Sequence, residues 1–159
     1  MRRLNFNVMA RGYILIGILL YLVVGAHAQN VKDLNLDDGV MAKGYDVVAY
    51  FQNKAVKGKS SYKFKYQGAV YKFSSSKNLE EFKQNPHKYV PQYGGWCAYA
   101  MGEDGKKVDI NPSTYEILDG KLYLFYNRFF NNTKEKWDKD PEGYRKKADR
   151  NWDEIIKKN

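Results

Sequence analysis

Little in this chain is chemically reactive. Its 159 residues hold one cysteine, two histidines and four prolines. A single cysteine excludes a disulfide within one chain. With so few thiols and imidazoles, no zinc centre of four cysteines, of two cysteines and two histidines, or of three histidines can be assembled within it. Long apolar runs are scarce too: the stretch from Tyr13 to Ala26 falls short of the ~20 residues a spanning helix needs. What is abundant is apolar and aromatic, at 43% and 16% of residues. That composition argues against disorder, collagen or a disulfide scaffold and supports one compact domain.

The apolar run has the setting of a secretory signal. Arg2, Arg3 and Arg11 precede it and the small-residue site Ala26-His27-Ala28 follows, so residues 1–28 are expected to be a signal peptide. Cleavage after Ala28 leaves a chain whose one histidine is His87 and whose one cysteine is Cys97. An exported protein, periplasmic or extracellular, with no stable membrane span after cleavage, is the expectation. A catalytic set of the Ser-His-Asp or Cys-His kind has only His87 to build on, and no paired-carboxylate or nucleophile motif is present. The chain therefore reads as a non-enzyme.

Residues 29–43 are polar and read as a lead-in to a domain over 44–159. The short apolar run Val47 to Phe51, bounded by Gly44 and the Asn53 to Gly58 stretch, predicts a buried strand. Tyr62 to Tyr66 alternates aromatics with lysine, Gln67-Gly68 is a turn signal and Val70 to Phe73 follows, which predicts a hairpin. Asn78, with Glu81 three residues on, has capping-box spacing for a short helix stopped before Pro86. Tyr115 to Leu118 and Lys121 to Tyr126 flank Asp119-Gly120, a type I′ hairpin signal. Asp140-Pro141 opens an amphipathic helix whose Tyr144, Ala148, Trp152, Ile155 and Ile156 are expected to dock on the sheet. The fold class is α+β: small antiparallel hairpins with short helices, and a C-terminal amphipathic helix.

Charge is unevenly spread. Between Asn53 and Lys88 nine lysines face only Glu80 and Glu81. Lys63 and Lys65 alternate with aromatics and Lys72 lies on the returning strand, so the three are expected to share a basic face of the first hairpin. Such a face suits an acidic protein partner, a polyanion or an anionic membrane surface, or serves to keep a strand edge unpaired. No nucleic-acid motif accompanies it, and none is expected as a partner.

The densest cluster is Tyr89 to Ala100, where Gly94 and Gly95 permit positive φ or close approach and Trp96 and Cys97 follow directly. A thiolate at Cys97 suits a soft ion such as Cu(I), with His87 and Met101 as the other candidate ligands. Alternatively Cys97 is a small buried hydrophobe, His87 an exposed surface side chain, and Asp46 a carboxylate satisfying loop N–H groups. Tyr45, Asp46, Tyr93, Gly94, Gly95 and Trp96 are candidate pocket residues. Asn131-Asn132-Thr133 matches a glycosylation sequon.

Three blocks of residues carry a family resemblance: Gly44-Tyr45-Asp46-Val47-Val48-Ala49-Tyr50-Phe51; Tyr66-x-Gly68-x-x-Tyr71-x-Phe73-Ser74-Ser75; and Phe82-x-x-Asn85-Pro86-x-x-Tyr89-x-Pro91-Gln92-Tyr93-Gly94-Gly95-x-Cys97-Ala98. With Asp119 to Leu124 and Ala148-Asp149-x-Asn151-Trp152, these resemble the exported branch of the YHS-domain family. The resemblance implies a small treble-clef-like metal module, related to TRASH-type domains, of a kind found beside copper or other heavy-metal transport. The chain departs from that pattern at the ligands. Ser74 follows Phe73 where the metal-binding form has a cysteine, and the early cysteine pair is replaced around Gly44-Tyr45-Asp46. The expected function is an exported, non-enzymatic YHS-like binding module that takes a copper-type metal ion or a small ligand near Cys97. The alternative is a structural or interaction module that uses the lysine face, with Cys97 buried and no metal.

Overall fold

A computed structural model describes residues 30–158, so the signal-peptide expectation lies outside the described residues. Two short strands come first, β1 (Leu36–Asp37) and β2 (Val40–Met41), joined through Asp38 and Gly39, both at positive φ. The polar stretch read as a lead-in is thus part of the sheet. Leu34 and Met41 are buried from it, because two apolar side chains suffice to seat a two-residue strand on a neighbour.

The run Val47 to Phe51 is not a strand. Ala49–Gln52 is a turn of 3-10 helix that ends at Asn53 in the left-handed region. The physical reason is Asp46, whose Oδ1 accepts from the backbone N–H groups of Val48 and Ala49. A side chain that caps nearby amides starts helical winding. Burial does not separate the alternatives, since a short apolar run suits a buried helix turn as well as a strand, and Val47 to Tyr50 are all buried.

The first hairpin forms as the sequence predicts. β3 (Lys59–Tyr66) and β4 (Ala69–Phe73) pair antiparallel with Phe64 opposite Tyr71 and Lys63 opposite Lys72. Gln67 and Gly68 both take positive φ, the geometry of a I′ turn. β2 joins the other edge of β4 in parallel, with Val40 opposite Val70, giving the order β1-β2-β4-β3.

Helix α1 (Ser76–Gln84) is capped earlier than its sequence suggests. Ser75 is the N-cap, its hydroxyl accepting from the Asn78 N–H at 3.1 Å, and Asn78 lies buried inside the helix. Pro86 stops α1 and opens α2 (Pro86–Tyr89). After a 3-10 turn at Gln92–Gly95 comes α3 (Ala98–Asp104), which settles the Cys97 to Met101 segment as helix. β5 (Asn111–Leu118) and β6 (Lys121–Phe125) make the second hairpin around Asp119-Gly120, both residues left-handed. A minimal hairpin, β7 (Asn127–Arg128) with β8 (Asn131–Asn132), leads into α4 (Thr133–Trp137).

The last helix, α5 (Pro141–Lys157), begins as its sequence predicts. Asp140 is the N-cap, accepting from the Gly143 N–H at 3.0 Å, and Pro141 occupies the first turn. Its docking surface differs: α5 lies chiefly on α3 rather than on a sheet. Gly102 makes this approach possible, because a Cβ there would sit 2.5 Å from the Tyr144 carbonyl oxygen.

Two apolar clusters result. The larger gathers Val47, Tyr50, Tyr71, Phe73, Phe82, Cys97, Leu122 and Leu124 under the first sheet. The smaller packs Tyr93, Ala98, Met101, Tyr123, Phe125, Trp137, Ala148 and Trp152 around α3 and α5. Cys97 and Met101 therefore belong to different clusters although one helical turn separates them.

Candidate functional site

Asp46 is fully buried. Its Oδ2 accepts from the Ser74 N–H, the Ser74 hydroxyl and the Asn78 amide, each at 2.7 Å. Its Oδ1 accepts from Val48 and Ala49 at 3.0 and 3.2 Å. Five donors therefore converge on an acceptor-only carboxylate. They tie the loop before the 3-10 turn to the end of β4 and to the first turn of α1. Asp46 and Ser74 mark the two places where the sequence departs from a cysteine pattern, and they touch. A hydrogen-bonded staple stands at that junction.

Tyr45 sits beside it, half-buried, and bridges to Lys57. Gly44 takes positive φ, and the Lys72 stem lies over it, 3.7 Å from where a Cβ would be. This accounts for the partial burial of Lys72 beside exposed Lys63 and Lys65. The three lysines share one hairpin face as expected and make no ion pair among the described residues.

The Tyr93-Gly94-Gly95 segment has three successive left-handed residues. At Gly94 a Cβ would come within 3.0 Å of the Asp33 carbonyl and of the Trp152 ring; at Gly95 it would come within 2.9 Å of the Met41 sulfur. Asn35 holds the loop from outside, its N–H donating to the Gly94 carbonyl and its side chain to that of Gly95. The Trp96 indole N–H donates to the Asp33 carbonyl at 2.7 Å. Both glycines thus serve positive φ and close approach together.

The left-handed backbone of Tyr93 is offset by a fixed ring. Its hydroxyl donates to Asp149 Oδ1 at 2.9 Å, and its ring packs on Tyr123 and Trp152. Burial, then the Asp149 charge and hydrogen bond, push the phenol well above its ordinary range, against a smaller opposing pull from Arg145. This side chain forms a wall of a cleft of about 410 Å³ that Pro91, Gln92, Lys121, Asp149, Trp152 and Asp153 also line. Two carboxylates one helical turn apart and one ammonium group thus face an aromatic wall. Lys121, Asp149 and Asp153 are absent from the candidates drawn from the sequence. Asp149 lies in the Ala148-Asp149-x-Asn151-Trp152 block and Lys121 in the Asp119 to Leu124 block, while Asp153 lies in neither.

The three candidate metal ligands are not gathered. Cys97 is fully buried, with Sγ 3.3 Å from Thr133 Oγ1. Thr133 donates its own proton to the Tyr126 carbonyl at 2.8 Å, so the thiol S–H is the donor in that pair. His87 is exposed at the start of α2, with Nε2 3.0 Å from the Tyr66 hydroxyl. Met101 is enclosed in the smaller cluster.

These features define an α+β module in which a polar staple organises the first sheet and a Gly-Gly loop welds it to the C-terminal half. Residues 47–93 match the family model of the YHS domain. No curated protein and no solved structure matches the chain. The residues present do not fit the copper-type ion that the family resemblance implies. Among the described residues no three His, Cys, Asp or Glu side chains converge on one point, and the Cys97 sulfur is committed to a hydroxyl inside the core.

Proposed function

We propose that this protein is an exported, non-enzymatic binding module whose ligand is a small zwitterion or organic cation held in the cleft beside Tyr93. The observation that carries the reading is the lining of that cleft, which brings together Asp149, Asp153, Lys121 and the Tyr93 and Trp152 rings. Carboxylates and aromatic faces each attract an ammonium or guanidinium group, while Lys121 suits a carboxylate on the same molecule. A mostly preformed concave site with a few convergent polar groups is the usual form of a small-ligand site. Export rests on the order of charges, apolar run and small residues in 1–28. The absence of catalysis rests on the isolation of His87 and Cys97 from each other.

Thermal denaturation against a panel of small amino acids, polyamines, quaternary ammonium compounds and simple carboxylates tests this. Zwitterions or cations are expected to raise the melting temperature, and Asp153→Asn to abolish the rise while leaving the unliganded melting temperature unchanged. Cu(I) titrated against a competing chelator is the contrasting arm. Uptake that Cys97→Ser removes, with no response to any organic compound, would replace this reading with metal handling.

A further inference from the structure

The most exposed apolar side chains stand together at one point. Phe129 and Phe130, at 84% and 106% relative exposure, form the tip between β7 and β8. Scattered surface hydrophobics need no explanation, but two consecutive rings with almost no protein neighbour do. The backbone makes the case sharper. A tip closed by Arg128 opposite Asn131 and Asn127 opposite Asn132 is a two-residue turn, where glycine or asparagine is favoured at left-handed positions. Here Phe129 takes φ 55°, a conformation that is an outlier for a bulky side chain. Neither burial nor turn chemistry accounts for phenylalanine at this place.

The charge beside the tip is positive. The Arg128 guanidinium lies 5.0 Å over the Phe129 ring and pairs with no carboxylate among the described residues. The chain as a whole carries 27 Lys and Arg against 18 Asp and Glu. A projecting pair of rings with an adjoining free cation has the chemistry of an interfacial anchor: aromatic side chains settle at the boundary of hydrocarbon and headgroups, and a basic side chain meets anionic lipid. A folded protein partner would have to supply a concave apolar pocket for both rings, whereas a fluid bilayer needs no shape complement.

We infer that the β7–β8 tip is a peripheral membrane anchor that seats Phe129 and Phe130 in the surface of an anionic bilayer with Arg128 at headgroup level. The anchor is independent of the cleft beside Tyr93, and it leaves that cleft's ligand unaffected.

The test uses the full chain with Asn131→Cys carrying an environment-sensitive fluorophore, Cys97 being buried and left unlabelled. Vesicles of phosphatidylcholine alone are compared with vesicles of phosphatidylcholine and phosphatidylglycerol in equal parts. A blue shift and gain of emission are expected on the anionic vesicles, weakened by added salt. Phe129→Ser with Phe130→Ser should lower the apparent affinity by at least about tenfold, with near-UV circular dichroism unchanged. Because the reporter sits at the tip, adsorption through residues 1–28 alone would leave its emission unchanged, and that result would overturn the inference. So would an unaltered response in the double variant, or a dimer in sedimentation velocity that the double variant abolishes.

Discussion

Replacing Asp46 by asparagine tests whether the polar staple holds the first sheet together. The substitution keeps size and shape but exchanges one acceptor oxygen for a donor. Set one way, the new amide nitrogen faces the Ser74 N–H, the Ser74 hydroxyl and the Asn78 amide; set the other way, it faces the Val48 and Ala49 N–H groups. The second orientation is the cheaper: the Ala49 N–H keeps the Asp46 backbone carbonyl as its acceptor, so the groups left without a partner are the Val48 N–H and the new side-chain amide, against up to three donors and that amide in the first. At ~1–3 kcal/mol for each buried group without a partner, the loss is about 2–6 kcal/mol, a large part of the ~5–15 kcal/mol that holds such a domain folded. Urea denaturation followed by near-UV circular dichroism reads the effect. With a slope of ~1–3 kcal/mol per molar urea, the midpoint should fall by at least roughly 0.7 M. Ser74→Ala is the control: it removes one hydroxyl and leaves four donors on the carboxylate, so about 1 kcal/mol is expected. If Asp46→Asn proves no more damaging than Ser74→Ala, the reasoning is refuted, since the staple would then be no more than one hydrogen bond among many.

Other outcomes follow from the second half of the chain. Gly102→Ala should cost about 1–3 kcal/mol, because its methyl would meet the Tyr144 backbone and push α5 off α3; an unchanged melting temperature would show that the two helices are not in firm contact. In alkali, burial holds the Tyr50, Tyr71 and Tyr93 phenols above their ordinary value of 10.0 in the folded state. A raised folded pKa contributes stability that is complete below the unfolded value and is lost as pH climbs above it. Unfolding should therefore set in above about pH 10. Tyrosinate absorbance should rise cooperatively with the loss of near-UV dichroism. Smooth ionisation of all tyrosines with the fold intact would contradict it.

How far the sequence reveals this structure varies from element to element, for physical reasons. Hairpins marked by Gln67-Gly68 and Asp119-Gly120 are legible because turn geometry is decided by two residues. The helix behind Asp140-Pro141 is legible because its cap is local as well. Val47 to Phe51 is not, because what winds it is a carboxylate that also binds residues 28 and 32 positions away. The strands within residues 36–41 escape a sequence reading because two residues each carry no period of their own: β2 forms by pairing with β4, and β1 by pairing with β2. The role of the two glycines can be read, but not their neighbours Asp33, Met41 and Trp152. Of the site residues, Tyr93, Asp46 and Ser74 stand out in the sequence. Lys121 and Asp149 fall within resemblance blocks that give no hint of a shared site, Asp153 falls in none, and only the docking of α5 beside the start of β6 brings the three to one cleft.

The family match stops at Tyr93, the residue at which the chain turns left-handed and is gripped by Asp149, Tyr123 and Trp152. On its other side, Val40 of β2 lies outside the match and pairs with Val70 within it. The segment recognisable as a YHS domain is therefore not a severable unit. Cutting at either boundary would bare a strand edge at one end and strip three partners from a buried tyrosine at the other. Gene fusion or truncation that respects this protein's physics has to carry the stretch from about Asp33 to Ile156 as a single piece, and the matched segment is better regarded as the recognisable part of a larger fold than as a module with its own borders.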